Sequence, residues 1–219
     1  MKTIKILLIL SMFGMLITSC ENDENINQSS IYPLNVGNSW TYKEITYHKG
    51  TPYISSSSME LKYNYTIDGE NGFTIIPYTK GTPFALLQND KEGNLVLCLF
   101  DADTLITKSI WFKKNAKKND KWIFQDMYFI NEENSKCFIE EKEVSCIVTD
   151  TLINTPKGKF ICKGYKYHPG GFDQNNNPAH TFIYYLSENI GIVKFLHYEH
   201  DFSKSYLFKE RLLIDYSIK

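Results

Sequence analysis

Alanine is scarce in this 219-residue chain, with only four residues at positions 85, 102, 116 and 179. Aromatics make up 15%, mostly tyrosine and phenylalanine. Little of the best helix former and much of what fits a pleated, half-buried surface argues against a helical domain. After residue 20 no run reaches the roughly 20 apolar residues that a membrane-spanning helix needs. Acidic and basic residues nearly balance at 25 and 24, a net charge of −1. Nothing basic is left over to meet nucleic acid. Gly-x-Ser-x-Gly, His-Glu-x-x-His, Cys-x-x-Cys and a phosphate-cradling Gly-Lys-Ser/Thr loop are all missing. Those absences remove the usual local signatures of a serine hydrolase, a zinc protease, a structural zinc site and a nucleotide pocket. No repeat of fixed period and no break in composition divides the chain. The sequence therefore nominates no catalytic residue, no cofactor and no metal.

What is present begins at the start. Residues 1–20 read MKTIKILLILSMFGMLITSC. Lys2 and Lys5 form a basic head, Ile6 to Ile17 an apolar middle, and Ile17-Thr18-Ser19-Cys20 a close of small residues. This is the anatomy of a secretory signal. Its ending resembles the lipobox of bacterial lipoproteins, with Ile17 where leucine is usual. That likeness implies cleavage after residue 19 and lipidation of Cys20. Residues 20–30 then read as a lipidated cysteine and a polar, acidic tether. The remainder, 31–219, is long enough for one domain with a substantial core. The acidic residues after Cys20 also look like the export signal of surface lipoproteins in Bacteroidetes-type bacteria. The expected address is the cell envelope, an outer-membrane lipoprotein exposed at the surface, held to the membrane through Cys20.

Within 31–219 the dominant pattern is alternation. Trp40 and Tyr42 open a first strand. Met59 to Asp68 places apolar residues at every second position, as only a strand does. Asp68-Gly69 and Asn71-Gly72 turn the chain into Phe73 to Tyr78. Phe84 to Leu87 with Leu95 to Phe100, then Leu105 to Phe112 and Trp122 to Phe124, continue the pattern. Val144 to Ile153 is a long strand that Thr155-Pro156-Lys157-Gly158 turns into Phe160 to Tyr167. Thr181 to Leu186 with Gly191 to Tyr198 forms another hairpin, and Leu212 to Ile218 ends the chain. Phe202 to Arg211 keeps partial helical spacing and leaves a helix open there. The fold class expected is all-β: an antiparallel β-sandwich or partly open, curved β-barrel of roughly ten to twelve strands.

Three segments together resemble the TapB-like β-rich lipoproteins of Bacteroidetes-type bacteria. They are Tyr32-Pro33-Leu34-x-Val36-Gly37-Asn38-x-Trp40-x-Tyr42, then Thr155-Pro156-x-Gly158-x-Phe160-x-Cys162, then Tyr184 to Lys194 leading to Leu213-Ile214-Asp215-Tyr216. Lys157 stands where the family pattern commonly has alanine. The resemblance implies a curved antiparallel sheet in the cell envelope and carries over no catalytic residue.

A few residues invite chemistry. A turn at Glu141-Lys142 would set Cys137 opposite Cys146, within the span of a disulfide in an exported protein. Two buried free thiols are the alternative, and Cys98 and Cys162 read as buried. Asp173 to Asn177 starts like a calcium loop, but Pro178 replaces its glycine and Tyr184 its closing glutamate. His168, His180, His197 and His200 lack metal-ligand spacing, and on a strand His197 and His200 face opposite sides. Trp40, Trp111 and Trp122 are either packing residues or an aromatic surface for a glycan, a lipid or an envelope-protein partner. The leading functional expectation is a non-enzymatic ligand- or partner-binding domain. A carrier with an apolar cavity for a lipid-like molecule and an envelope hydrolase are the alternatives.

Overall fold

A computed structural model describes residues 29–74, 84–101, 103–129, 137–169, 179–201 and 204–219. The signal, Cys20, most of the tether and the Asp173–Asn177 stretch lie outside the described residues.

The fold is all-β, and among the described residues there are thirteen strands: β1 Ser39–His48, β2 Thr51–Glu60, β3 Tyr63–Ile67, β4 Glu70–Thr74, β5 Phe84–Asn89, β6 Leu95–Asp101, β7 Thr104–Phe112, β8 Lys121–Phe129, β9 Cys137–Thr155, β10 Gly158–Tyr167, β11 His180–Ser187, β12 Gly191–Asp201 and β13 Lys204–Ser217. They form two antiparallel sheets. The wide sheet has the order β2-β1-β13-β12-β11-β10-β9-β8, and the narrow one β3-β4-β5-β6-β7. Neighbours are mostly consecutive in sequence, because hairpins are the cheapest way to pair antiparallel strands. The exception is β1 against β13, which joins the two ends of the domain.

The core lies where the sheets face each other. Trp40, Tyr42, Val144, Tyr165, Leu186, Val193 and Leu213 of the wide sheet meet Leu95, Leu97, Leu99 and Phe112 of the narrow one. Each large apolar side chain buried there contributes about 1.5–3 kcal/mol. The polar tips of its aromatics are mostly satisfied by main-chain oxygen. Trp40 Nε1 donates to Ile190 O at 2.6 Å, Tyr42 Oη to Ile192 O at 3.1 Å and Tyr165 Oη to Lys113 O at 2.7 Å. The second face of the narrow sheet buries its own cluster, Leu86, Val96, Cys98 and Phe100. Every residue of β6 except the last is therefore buried, which explains its unbroken apolar run.

Three sequence expectations need correction. Met59–Asp68 is not one strand: β2 ends at Glu60 and β3, in the other sheet, begins at Tyr63. Between them Leu61 is fully buried, its N–H donating to Asn38 O and its carbonyl accepting from Gly37 N. Alternation passes through this crossover unbroken, so periodicity could not reveal the change of sheet. The helix left open over Phe202–Arg211 does not form, since residues from Lys204 onward belong to β13. Nor is there a hairpin at Glu141-Lys142. β9 runs straight through it, with Phe129 opposite Cys137 and Tyr165 opposite Cys146. Nine residues of strand separate the two cysteines by about 30 Å, far beyond disulfide reach. Cys146 is a buried free thiol, like Cys98 and Cys162. Glu-Lys lacks the residues that a two-residue turn demands, and Lys142 instead buries its side chain beside Glu140 at 2.5 Å.

Candidate functional site

The wide sheet has more core-facing surface than the narrow sheet covers. Cross-strand register lines this surface up in rows. One row runs Glu44, Arg211, Phe195, Tyr184, Tyr165, Cys146 across β1, β13, β12, β11, β10 and β9. The next runs Thr46, Lys209, His197, Phe182, Tyr167, Val144, Trp122. A third, at the far end, holds Tyr206, Glu199 and His180.

Burial is greatest at the β10 and β9 end of the first two rows, where Tyr165, Cys146, Tyr167 and Val144 are buried. Tyr165 and Tyr184 pack against Phe112 of β7, with ring centroids 5.0 and 5.2 Å away. Burial pushes the Tyr184 hydroxyl up to about 12 and raises that of Tyr167 as well. Further out, Phe182, Phe195, His197 and Phe208 stack edge-on among themselves at 4.7–5.3 Å. They form an aromatic platform in which Phe195 is buried and Phe182, His197 and Phe208 are half-buried. Arg211, the only arginine in the chain, lies 5.8 Å over the Phe195 ring. Glu44 holds it at 2.5 Å and Lys209 at 2.7 Å. Burial alone would raise the Glu44 carboxyl, but hydrogen bonds and charge from Lys209 and Arg211 outweigh it and keep it below the usual range.

At the end of the platform three potential ligands converge. His180 Nδ1 and His197 Nε2 are 3.1 Å apart. One ligand atom from each of His180, His197 and Glu199 falls within a group whose members all lie within 4.8 Å of one another. Burial, then the neighbouring His180, lowers the His197 pKa, which favours the neutral ring. His168 and His200 occupy the opposite face, as strand geometry requires. There Thr181 Oγ1 lies 2.7 Å from His200 Nε2 and 3.1 Å from His168 Nδ1. His168 Nδ1 also sits 3.1 Å from the His180 carbonyl, which can only accept. His168 therefore carries its proton on Nδ1, and the Thr181 hydroxyl is free to donate to His200. This network ties the ends of β10, β11 and β12 together.

The tryptophans divide. Trp40 is fully buried and Trp122 is 9% exposed, so both are core. Trp111 stands at the edge of the core, stacked on Phe112 at 4.7 Å and edge-on to Tyr184 at 5.8 Å. Its buried indole N–H lies near the Tyr167 hydroxyl but closes no well-formed hydrogen bond. Sequence reasoning missed Phe182, Phe195, Phe208 and Arg211, and it missed the His180–His197 pairing. The signal was the register of the hairpin around Ser187–Asn189, which sets His180 opposite Glu199 and Phe182 opposite His197.

Two clefts lie elsewhere, each with charged or amide side chains among its apolar ones. One of about 360 Å³ is lined by Leu34, Glu70, Asn71, Phe73, Gln88 and Asn89, and one of about 110 Å³ includes Lys114, Asp150, Lys163 and Glu188. Neither lining suits a lipid chain.

No protein-family model matches the sequence, and no curated relative matches it. Two solved structures are similar. One is designated a lipoprotein of Parabacteroides distasonis, with a TM-score of 0.45, 14% identity, and 86% of this chain and 99% of that one covered. The other is designated an exported protein with a YmcC-like fold from Bacteroides fragilis, with a TM-score of 0.39, 14% identity and the same coverage. The functional reading therefore rests on this chain's own residues.

Proposed function

We propose that this protein is a non-enzymatic lipoprotein of the bacterial cell envelope, anchored through Cys20, whose β-domain binds a ligand or partner on the aromatic platform of its wide sheet. The observation that carries the binding reading is the platform itself. Phe182 and Phe208, half-buried and packed with the buried Phe195, form an apolar surface beside one arginine, a composition suited to stacking against a planar or apolar group. The anchor reading rests on the Cys20 sequence, and the acidic tether after it supports an outer-membrane address facing outward.

Two experiments test this. Cells expressing the full chain are fed an alkyne-tagged palmitate. Label and membrane association should both vanish in Cys20→Ala, and a membrane-bound, unlabelled wild type would refute the anchor. A panel of envelope glycans is then screened with wild type and with Phe182→Ala/Phe208→Ala. Binding that survives loss of both rings would refute the platform, provided the variant melts cooperatively.

The His180–His197–Glu199 cluster favours a second reading, a hydrolase that works at this end of the sheet. It gathers a carboxylate and two imidazoles, one with a shifted pKa. Turnover of ester, phosphoester or glycoside probes by wild type, abolished in His197→Asn, would replace binding with catalysis.

A further inference from the structure

The geometry points to a binding site for a zinc-class divalent metal ion at the end of the wide sheet, ligated by His180, His197 and Glu199. Zinc binds imidazole nitrogen at about 2.0–2.1 Å, so two such ligands at a tetrahedral angle stand about 3.3–3.4 Å apart. His180 Nδ1 and His197 Nε2 are 3.1 Å apart, close to that bite. A carboxylate oxygen of Glu199 completes a group within 4.8 Å. The backbone already provides the arrangement. His180 lies directly opposite Glu199, and His197 is the diagonal neighbour on the same face.

The surroundings suit an ion. Tyr206 Oη donates to Glu199 Oε2 at 3.0 Å, orienting the carboxylate and leaving its other oxygen free for the metal. Lys209, opposite His197 in the register, is held by Glu44 at 2.7 Å. With Arg211 also on Glu44, the four charges Glu44, Glu199, Lys209 and Arg211 cancel, so a cation meets no net repulsion. Binding costs the hydrogen bond between the two rings. The ring that donates in that bond must shift its proton to its other nitrogen, so no proton need leave the protein. Two imidazoles and one carboxylate select zinc, copper, nickel or ferrous ions over magnesium and calcium, which demand all-oxygen sets. Three protein ligands leave a coordination position open toward the aromatic platform.

The test uses the full-length lipidated chain in mild detergent, titrated with Zn2+ against a chromophoric chelator in excess Mg2+. One equivalent should bind. His180→Asn and His197→Asn should each weaken binding by more than the roughly 10–100-fold that loss of an outer-shell partner costs, and Tyr206→Phe should fall within that range. His168→Asn and His200→Asn, on the opposite face, should leave it unchanged. Thermal melts supply the second measurement. Zn2+ should raise the midpoint of wild type and of the opposite-face variants, and not that of His180→Asn or His197→Asn. No stoichiometric binding, displacement by Mg2+, or equal losses from variants on both faces would overturn the site.

Discussion

Gly191→Ala tests the packing that fixes the domain's first turn against the β11–β12 hairpin. Gly191 opens β12 with φ of +89°, a conformation that costs any other L-residue about 1–2 kcal/mol. A Cβ there would also lie 2.8 Å from two carbons of the Tyr32 ring. That ring cannot retreat. It is 2% exposed and packs on Trp40 with centroids 4.8 Å apart, while Trp40 is itself hydrogen-bonded to Ile190 O. Forcing a methyl into such a space costs about 1–3 kcal/mol more. The sum, about 2–5 kcal/mol, should lower the thermal midpoint by about 4–20 °C for a domain of this size. Gly50→Ala is the control. It has φ of +82° and nothing within 4 Å of an added Cβ, so it carries only the backbone cost, about 1–2 kcal/mol. Thermal melts followed by circular dichroism compare the two. In a Tyr32→Leu background the Gly191→Ala cost should fall to that of Gly50→Ala. If the two single variants melt together, the contact with Tyr32 contributes nothing and the reasoning fails.

Three further outcomes follow from the same contacts. Burial pushes the Cys98 thiol up to about 11 and that of Cys162 to about 12, and it raises Cys146 too. Iodoacetamide at pH 8 should label none of them in the native protein and all three after denaturation without reductant, and a reductant-dependent label at Cys146 would restore the abandoned bridge. Glu44, lowered in the folded state, contributes stability above its unfolded pKa of about 4.3 and loses it as pH falls through the folded value. Glu44→Gln should therefore cost about 1.5–3 kcal/mol at pH 7, and the gap to wild type should close in denaturant melts as the pH drops below about 4. Trp111→Phe deletes an N–H that closes no well-formed hydrogen bond and should change stability by less than about 1 kcal/mol, whereas Trp40→Phe removes the donor to Ile190 O and opens a void, for about 2–4 kcal/mol.

The sequence showed the sheet character of the fold because period-two patterning survives wherever one face is buried. β10, β11 and β12 follow Phe160–Tyr167, Thr181–Leu186 and Gly191–Tyr198 closely, whereas β9 and β13 start seven and eight residues before Val144 and Leu212. Patterning failed where the same alternation served two sheets, at Leu61, and where a strand had no apolar face to show. β2, Thr51–Glu60, carries four serines in a row and exposes Tyr53 and Ile54. The candidate site was less legible for a different reason. Its residues come together across strands, and only register says that His180, Phe182, Phe195, His197 and Arg211 share one patch. Strand parity correctly separated His197 from His200, but parity within one strand cannot say which residue of the next strand lies alongside.

The motifs that were legible have a common location. Ser29 Oγ and Ser30 meet Glu188 and Asn189, Trp40 and Tyr42 bond to Ile190 O and Ile192 O, and Tyr32 lies on Gly191. Lys157 of the β9–β10 turn reaches Asp215 at 2.5 Å, and Phe160 packs on Tyr216. All the segments that make this chain resemble a family thus close one end of the domain, the end where the tether enters. His180 and Glu199 sit at the other end of β11 and β12, about 25 Å along the strands from Ser187 and Gly191. A likeness built on the closed end reports how the domain is held together, so it carries no information about chemistry at the far end. The two ends should also separate energetically. His180→Asn and His197→Asn, half-buried and remote from the Tyr32–Trp40–Gly191 contact, should each change metal-free stability by less than about 1 kcal/mol, against about 2–5 kcal/mol for Gly191→Ala. A histidine variant that unfolds the domain as readily as Gly191→Ala would make the far end part of the scaffold and take away its freedom to serve as a site.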